Sequence, residues 1–148
     1  MNLATHQARI LRCFELAQHS PDPSTKVGAK LYDEEGYLLE VAWNSFPASS
    51  HVGLEYYQNR ELKYTRMIHA EMRCIINAGN GARDGVLYTS MIPCKDCAKH
   101  IAEARIVRVY YPASCMHSDF VRRQSASIHV GQLVLAESGV ESIEVEGV

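Results

Sequence analysis

The chain has no apolar run approaching the 18 or so residues that a membrane-spanning helix needs. Its first residues, Met1 to Leu11, scatter His6 and Arg9 among apolar side chains and do not form a signal peptide. It also lacks a basic excess. The formal net charge is −2, whereas domains that bind nucleic acid normally carry a positive face. Disulfide staples are not expected either. The five cysteines are an odd number, and a chain of 148 residues buries enough surface to fold without them. A reducing compartment, the cytoplasm, is the expected location. Repeats, linkers and low-complexity tracts are absent, so one domain over residues 1–148 is expected.

What is present reads as alternating helices and strands. Leu3, Ile10, Leu11, Phe14 and Ala17 recur at helical spacing over residues 3–19, and Ser20-Pro21-Asp22-Pro23 ends that helix. Val27–Tyr32 and Tyr37–Trp43 read as a hairpin around Asp33-Glu34-Glu35-Gly36. Residues 45–65 are polar and irregular, too long for a simple connection, which marks a functional loop with room for a short helix. A helix over 68–78 ends at Gly79, and a strand follows over 85–90. A helix over 95–104, a strand over 106–110, a helix over 118–138 and a strand over 140–145 complete the chain. This order predicts a sheet with helices on both faces.

Two short motifs carry chemistry. His69-Ala70-Glu71 opens one helix and Pro93-Cys94-Lys95-Asp96-Cys97 opens the next. Cys94 and Cys97, three apart, share a helix face, and a helix N-terminus favours thiolates. Two thiolates and an imidazole suit zinc and leave a fourth position open, as in catalytic rather than structural zinc sites. Glu71 is then the carboxylate beside the metal that moves protons. His69 and Glu71 are two apart and point to nearly opposite sides of a regular helix. They meet at one metal only if His69 stands at the very start of the helix. Alone, Cys-x-x-Cys also suits a redox pair or half of a structural site, and His-x-Glu an ordinary polar helix end. Together and in this order they match the zinc deaminase signature. Cys13, Cys74 and Cys115 read as small core residues.

With these motifs, the chain resembles the cytidine and deoxycytidylate deaminase superfamily, and within it the deoxycytidylate (dCMP) deaminases. The resemblance rests on Asp22-Pro23-Ser24-Thr25-Lys26-Val27-Gly28-Ala29, Trp43-Asn44-Ser45-Phe46-Pro47, His69-Ala70-Glu71 and Thr89-Ser90-Met91-Ile92-Pro93-Cys94-Lys95-Asp96-Cys97. It implies a three-layer α/β/α fold around a mixed five-stranded sheet, and hydrolysis of dCMP to dUMP and ammonia. It implies that Asn44 bonds the sugar and that backbone near Ala70 and Ser90 reads the base. Homo-oligomers, often hexamers, are common in this branch.

Other assignments rest on position. Ser24, Thr25 and Lys26 lie between the first helix and first strand, where hydroxyls and an ammonium can cradle a phosphate; ordinary turn residues are the alternative. Tyr111 closes a strand beside the expected cleft and is assigned to the nucleotide, core packing being the alternative. Arg122 and Arg123 reach either a phosphate, a neighbouring subunit or only solvent. The chain departs from the family at Ala42-Trp43-Asn44-Ser45, where members read Gly-Tyr-Asn-Gly, and this puts control by dCTP in doubt. The loop before His69 offers only His51 for a second metal, with Asn59 and Lys63 where further ligands would stand, so one zinc per chain is expected. A small-molecule nucleotide is the expected partner, with no nucleic acid and no membrane. The competing readings are a tRNA adenosine or free cytidine deaminase on the same fold, and a non-catalytic zinc-binding module, which would have no need of Glu71.

Overall fold

A computed structural model describes residues 1–148. Helix α1 (Leu3–Ala17) leads into the hairpin of β1 (Gly28–Tyr32) and β2 (Leu38–Trp43). The segment that follows holds a 3-10 turn (Leu54–Gln58) and a short α2 (Arg60–Tyr64). Then come α3 (Ala70–Ala78), β3 (Val86–Thr89), α4 (Lys95–Glu103), β4 (Arg108–Pro112), α5 (Asp119–Arg123), α6 (Ser125–Glu137) and β5 (Glu141–Val145). The five strands form one sheet in the order β2-β1-β3-β4-β5. The first two pairings are antiparallel, and β3–β4 and β4–β5 are parallel. No helix is long and apolar enough to cross a membrane.

Alternation along the strands sorts the core into two layers, because successive side chains face opposite sides of a sheet. Ala29, Leu31, Leu87 and Val109 face Cys74, Cys97, Ala98, Ile101 and Leu135 of α3, α4 and α6. Their neighbours Tyr32, Tyr88, Tyr110 and Val145 face Ile10 and Cys13 of α1. The result is the expected α/β/α sandwich around a mixed sheet. Helix α1 approaches β1 so closely that a Cβ on Gly28 would lie 2.1 Å from the Cys13 carbonyl oxygen. Gly79 ends α3 with φ of 54°, a left-handed conformation that favours glycine.

Three sequence expectations shift. The buried face of α1 is Ile10, Cys13 and Ala17, while Leu3 and Leu11 are half exposed. Cys13 supplies the three-and-four spacing that Leu11, a hundred degrees away, cannot. The helix expected over 118–138 is broken at Gln124, which ends α5 and begins α6 with φ −103° and ψ 18°. Strand β4 starts at Arg108 rather than Ile106. The long segment after β2 is pinned to the body. The Phe46 and Tyr57 rings stack at 3.7 Å, and the Phe46 amide donates to the Tyr57 hydroxyl at 2.8 Å.

Candidate metal centre and cavity

Two helix beginnings build the centre. His69 is the N-cap of α3, with extended backbone (φ −69°, ψ 151°). It therefore stands outside the helical period, and the imidazole and the Glu71 carboxyl line the same cavity. An isolated β-bridge between Ser45 and Ile68 fixes the chain just before it. Cys94 is the N-cap of α4, also extended (φ −73°, ψ 172°), and Cys97 lies one turn inside. His69 Nδ1 is 3.2 Å from Cys97 Sγ and 3.6 Å from Cys94 Sγ. All three ligand atoms lie within 4.8 Å of one another.

These separations fit zinc. Bonds of about 2.3 Å to sulfur and about 2.0 Å to nitrogen in tetrahedral geometry put ligand atoms roughly 3.5–3.8 Å apart. The protonation of the metal-free cluster points the same way. A hydrogen bond from Cys97 pulls the Cys94 thiol down to about 4, with His69 assisting. The same bond, together with burial, holds the Cys97 thiol well above its ordinary value. The hydrogen bond to Cys94 lifts His69 to about 9. An anionic sulfur, a thiol and an imidazolium thus share protons that a divalent cation would displace. Glu71 is 4% exposed. Burial raises its carboxyl above the usual range, while the charge on His69 pulls it down.

Above the centre opens a cavity of about 390 Å³, within the range of small-molecule sites. Its lining includes Glu71, His69 and Cys94 of the metal centre, then Thr25, Val27, Asn44 and Lys63, and also Lys95, Phe120, Arg123 and Ser127. Asn44 is held rigidly: its Oδ1 accepts from the Val27 amide and its Nδ2 donates to the Thr25 carbonyl, both at 2.8 Å. Arg73 of α3 fixes the same loop from behind, donating to the Trp43 carbonyl at 2.8 Å and the Phe46 carbonyl at 3.0 Å.

Several residues singled out by sequence do not line the cavity. The Lys26 ammonium donates to the Ser20 carbonyl. The Ser24 hydroxyl donates to Asp22 and accepts from Lys63. Ala70 is fully buried. Ser90 accepts from the Gly28 amide at 3.0 Å. Tyr111 packs in the core with Ile92, Cys115, Val121 and Ile128.

The structure adds residues that the sequence reading missed. Lys63 lies 3.1 Å from Asp22 Oδ1 in an ion pair whose side chains are 10% and 5% exposed. Burial opposes ionisation of Asp22. The Ser24 amide, the Lys63 ammonium and the Thr25 amide outweigh it and hold the carboxyl below its usual range. Nothing in the polar run 55–63 distinguishes this lysine, whereas Asp22-Pro23-Ser24 is a recognisable turn.

The chain belongs to the cytidine and deoxycytidylate deaminases: the model of that family's zinc-binding region matches residues 3–113. It is 31% identical over 134 residues to an uncharacterized deaminase in the luxG 3' region of Aliivibrio fischeri, covering 88% of each chain. It is 30% identical over 110 residues to the deoxycytidylate deaminase of Mus musculus, covering 70% of this chain and 62% of that one. It spans 52% of a probable deoxycytidylate deaminase of Drosophila melanogaster, at 31% identity over 106 residues and 64% of this chain. The dCMP deaminase of the cyanophage S-TIM5, solved in apo form, shares the fold. Its TM-score is 0.73 at 24% identity, covering 97% of this chain and 99% of that one.

Proposed function

We propose that this protein hydrolyses the 4-amino group of dCMP, giving dUMP and ammonia, with zinc held by His69, Cys94 and Cys97. The observation that carries the reading is the convergence of these three ligand atoms beside a cavity that His69, Cys94 and the buried Glu71 line. Relatives that share 30% identity are deoxycytidylate deaminases, and a structural neighbour was solved with dCMP and dUMP.

Zinc supplies Lewis acidity and makes water a nucleophile near neutral pH. Glu71 would accept a proton from the attacking water and pass it to the ring nitrogen N3, then take the remaining proton of the added hydroxyl and pass it to the amino group, which departs as ammonia. Its raised pKa suits it to both directions of transfer, because a carboxyl lifted toward neutrality gains and loses a proton readily. Thr25 and Asn44 face the sugar. The Asn44 amide is already fixed by two backbone bonds, and its contact to Met67 Sδ at 3.8 Å is weak enough for a sugar hydroxyl to replace.

Ammonia release from dCMP, deoxycytidine and a tRNA anticodon stem, compared on the zinc-loaded protein, tests this. The fastest release is expected from dCMP; a preference for either of the others overturns the substrate assignment.

A further inference from the structure

The dCMP reading leaves open where the phosphate binds, and the assignment of a phosphate site rests on that reading. Lys26 does not line the cavity, and its ammonium bonds the Ser20 carbonyl. Lys63 lines the cavity, but it faces Asp22 at 3.1 Å and Ser24 at 2.8 Å. The two charges form a neutral pair. A dianion placed there would meet the Asp22 carboxylate as well as the ammonium.

Two other cations of the cavity differ. Lys95 at the start of α4 and Arg123 at the end of α5 both line the cavity. Neither belongs to an ion pair; the five in the chain are Arg12–Glu15, Asp22–Lys63, Asp96–Lys99, Arg108–Glu141 and Asp119–Arg122. Asp96 also lines the cavity beside Lys95, but its carboxylate is paired with Lys99 at 3.2 Å. The Lys95 amide donates to the Ser127 hydroxyl at 3.1 Å, which ties the start of α4 to the first turn of α6, the helix that follows Arg123 across the break at Gln124. Ser127 also lines the cavity.

We infer that Arg123 and Lys95, not Ser24 and Lys26, bind the phosphate of the substrate and set the preference for a nucleotide over a nucleoside. A guanidinium offers a planar fork that matches phosphate oxygens, and an ammonium adds a point charge beside it. Phe120 also lines the cavity and adds apolar surface to it.

Calorimetry on zinc-loaded protein tests the assignment. The Glu71→Gln background is used so that ligands bind without turnover. In that background Arg123→Gln weakens dCMP binding by about tenfold or more and Lys95→Gln by severalfold. Deoxycytidine affinity moves much less, so the gap between the two ligands narrows. Arg122→Gln, whose arginine pairs with Asp119 outside the cavity, changes dCMP binding by less than about twofold. Undiminished dCMP binding by both cavity variants overturns the inference, and a selective loss in Lys26→Gln or Lys63→Gln would move the phosphate to those lysines. Failure of the Glu71→Gln protein itself to bind dCMP overturns the nucleotide reading and this inference with it.

Discussion

Helices that begin away from the cavity and helices that begin at it are capped differently. Asn2, Asn59 and Ser118 start α1, α2 and α5, and each side chain accepts a bond from the amide three residues on. His69, Cys94 and Gln124 start α3, α4 and α6, and none makes a side-chain cap. All three of the latter line the cavity, and none of the former does. A side-chain cap is worth about 1 kcal/mol. The helices at the site forgo that stabilisation because their first residues are needed as ligands or as cavity wall. The contrast teaches that an N-cap residue, extended and just outside the helix, is what lets His69 and Glu71, two apart, line one cavity.

The comparison can be broken or sharpened by substitution. The largest effect is expected from Glu71→Gln, which keeps a polar group of the same shape in the first turn of α3. Turnover should fall by about 10²–10⁴ while zinc content, read by metal analysis, stays at one per chain; activity within tenfold of the parent removes Glu71 from proton transfer. Next is Lys63→Met in α2, which strands the buried Asp22 carboxylate. Chemical denaturation should show a loss of about 3–5 kcal/mol, and a loss under 1 kcal/mol would mean that solvent reaches Asp22.

Smaller effects probe the caps directly. His69→Asn introduces a good cap where the structure has none. Zinc binding should be lost, yet with metal chelated from both proteins the variant should unfold at equal or higher denaturant, by up to about 1 kcal/mol. Ser118→Ala at the capped α5 should lower stability by about 1 kcal/mol with zinc content unchanged. If both changes act alike on the metal-free protein, the two classes of helix start are not distinct.

The smallest effect concerns pH. The folded-state pKa of Asp22 lies below its ordinary value, so at acid pH the unfolded chain binds more protons and stability falls as pH falls. This contribution is complete above about pH 3.9 and is lost as pH drops through the lower folded value. Asp22→Asn should flatten that acid limb of the denaturation profile; an unchanged limb assigns it to other carboxyls.

Much of the site was legible in the sequence. His69, Glu71, Cys94 and Cys97 stand in two short motifs whose neighbours are helix starts, and the order of strands and helices implied a sheet covered on both faces. The cavity wall was not legible. Lys63 comes from a polar run with no periodicity, and it meets Asp22, 41 residues away, only when the segment after β2 folds back. The break at Gln124 was equally hidden, because residues 118–138 read as one continuous helix. Tyr111 was placed from its position at the end of a strand beside the expected cleft, and Lys26 from its position between the first helix and first strand. Side-chain direction then sent one into the core and the other to a carbonyl.

The sequence alone determined the ligand chemistry and the two helix starts that carry it, since each depends on residues within a few positions of one another. Only the tertiary structure decided which polar groups are already paired and which remain free in the cavity. Pairing depends on separations of a few ångströms between segments far apart in the chain, and no local pattern encodes those distances.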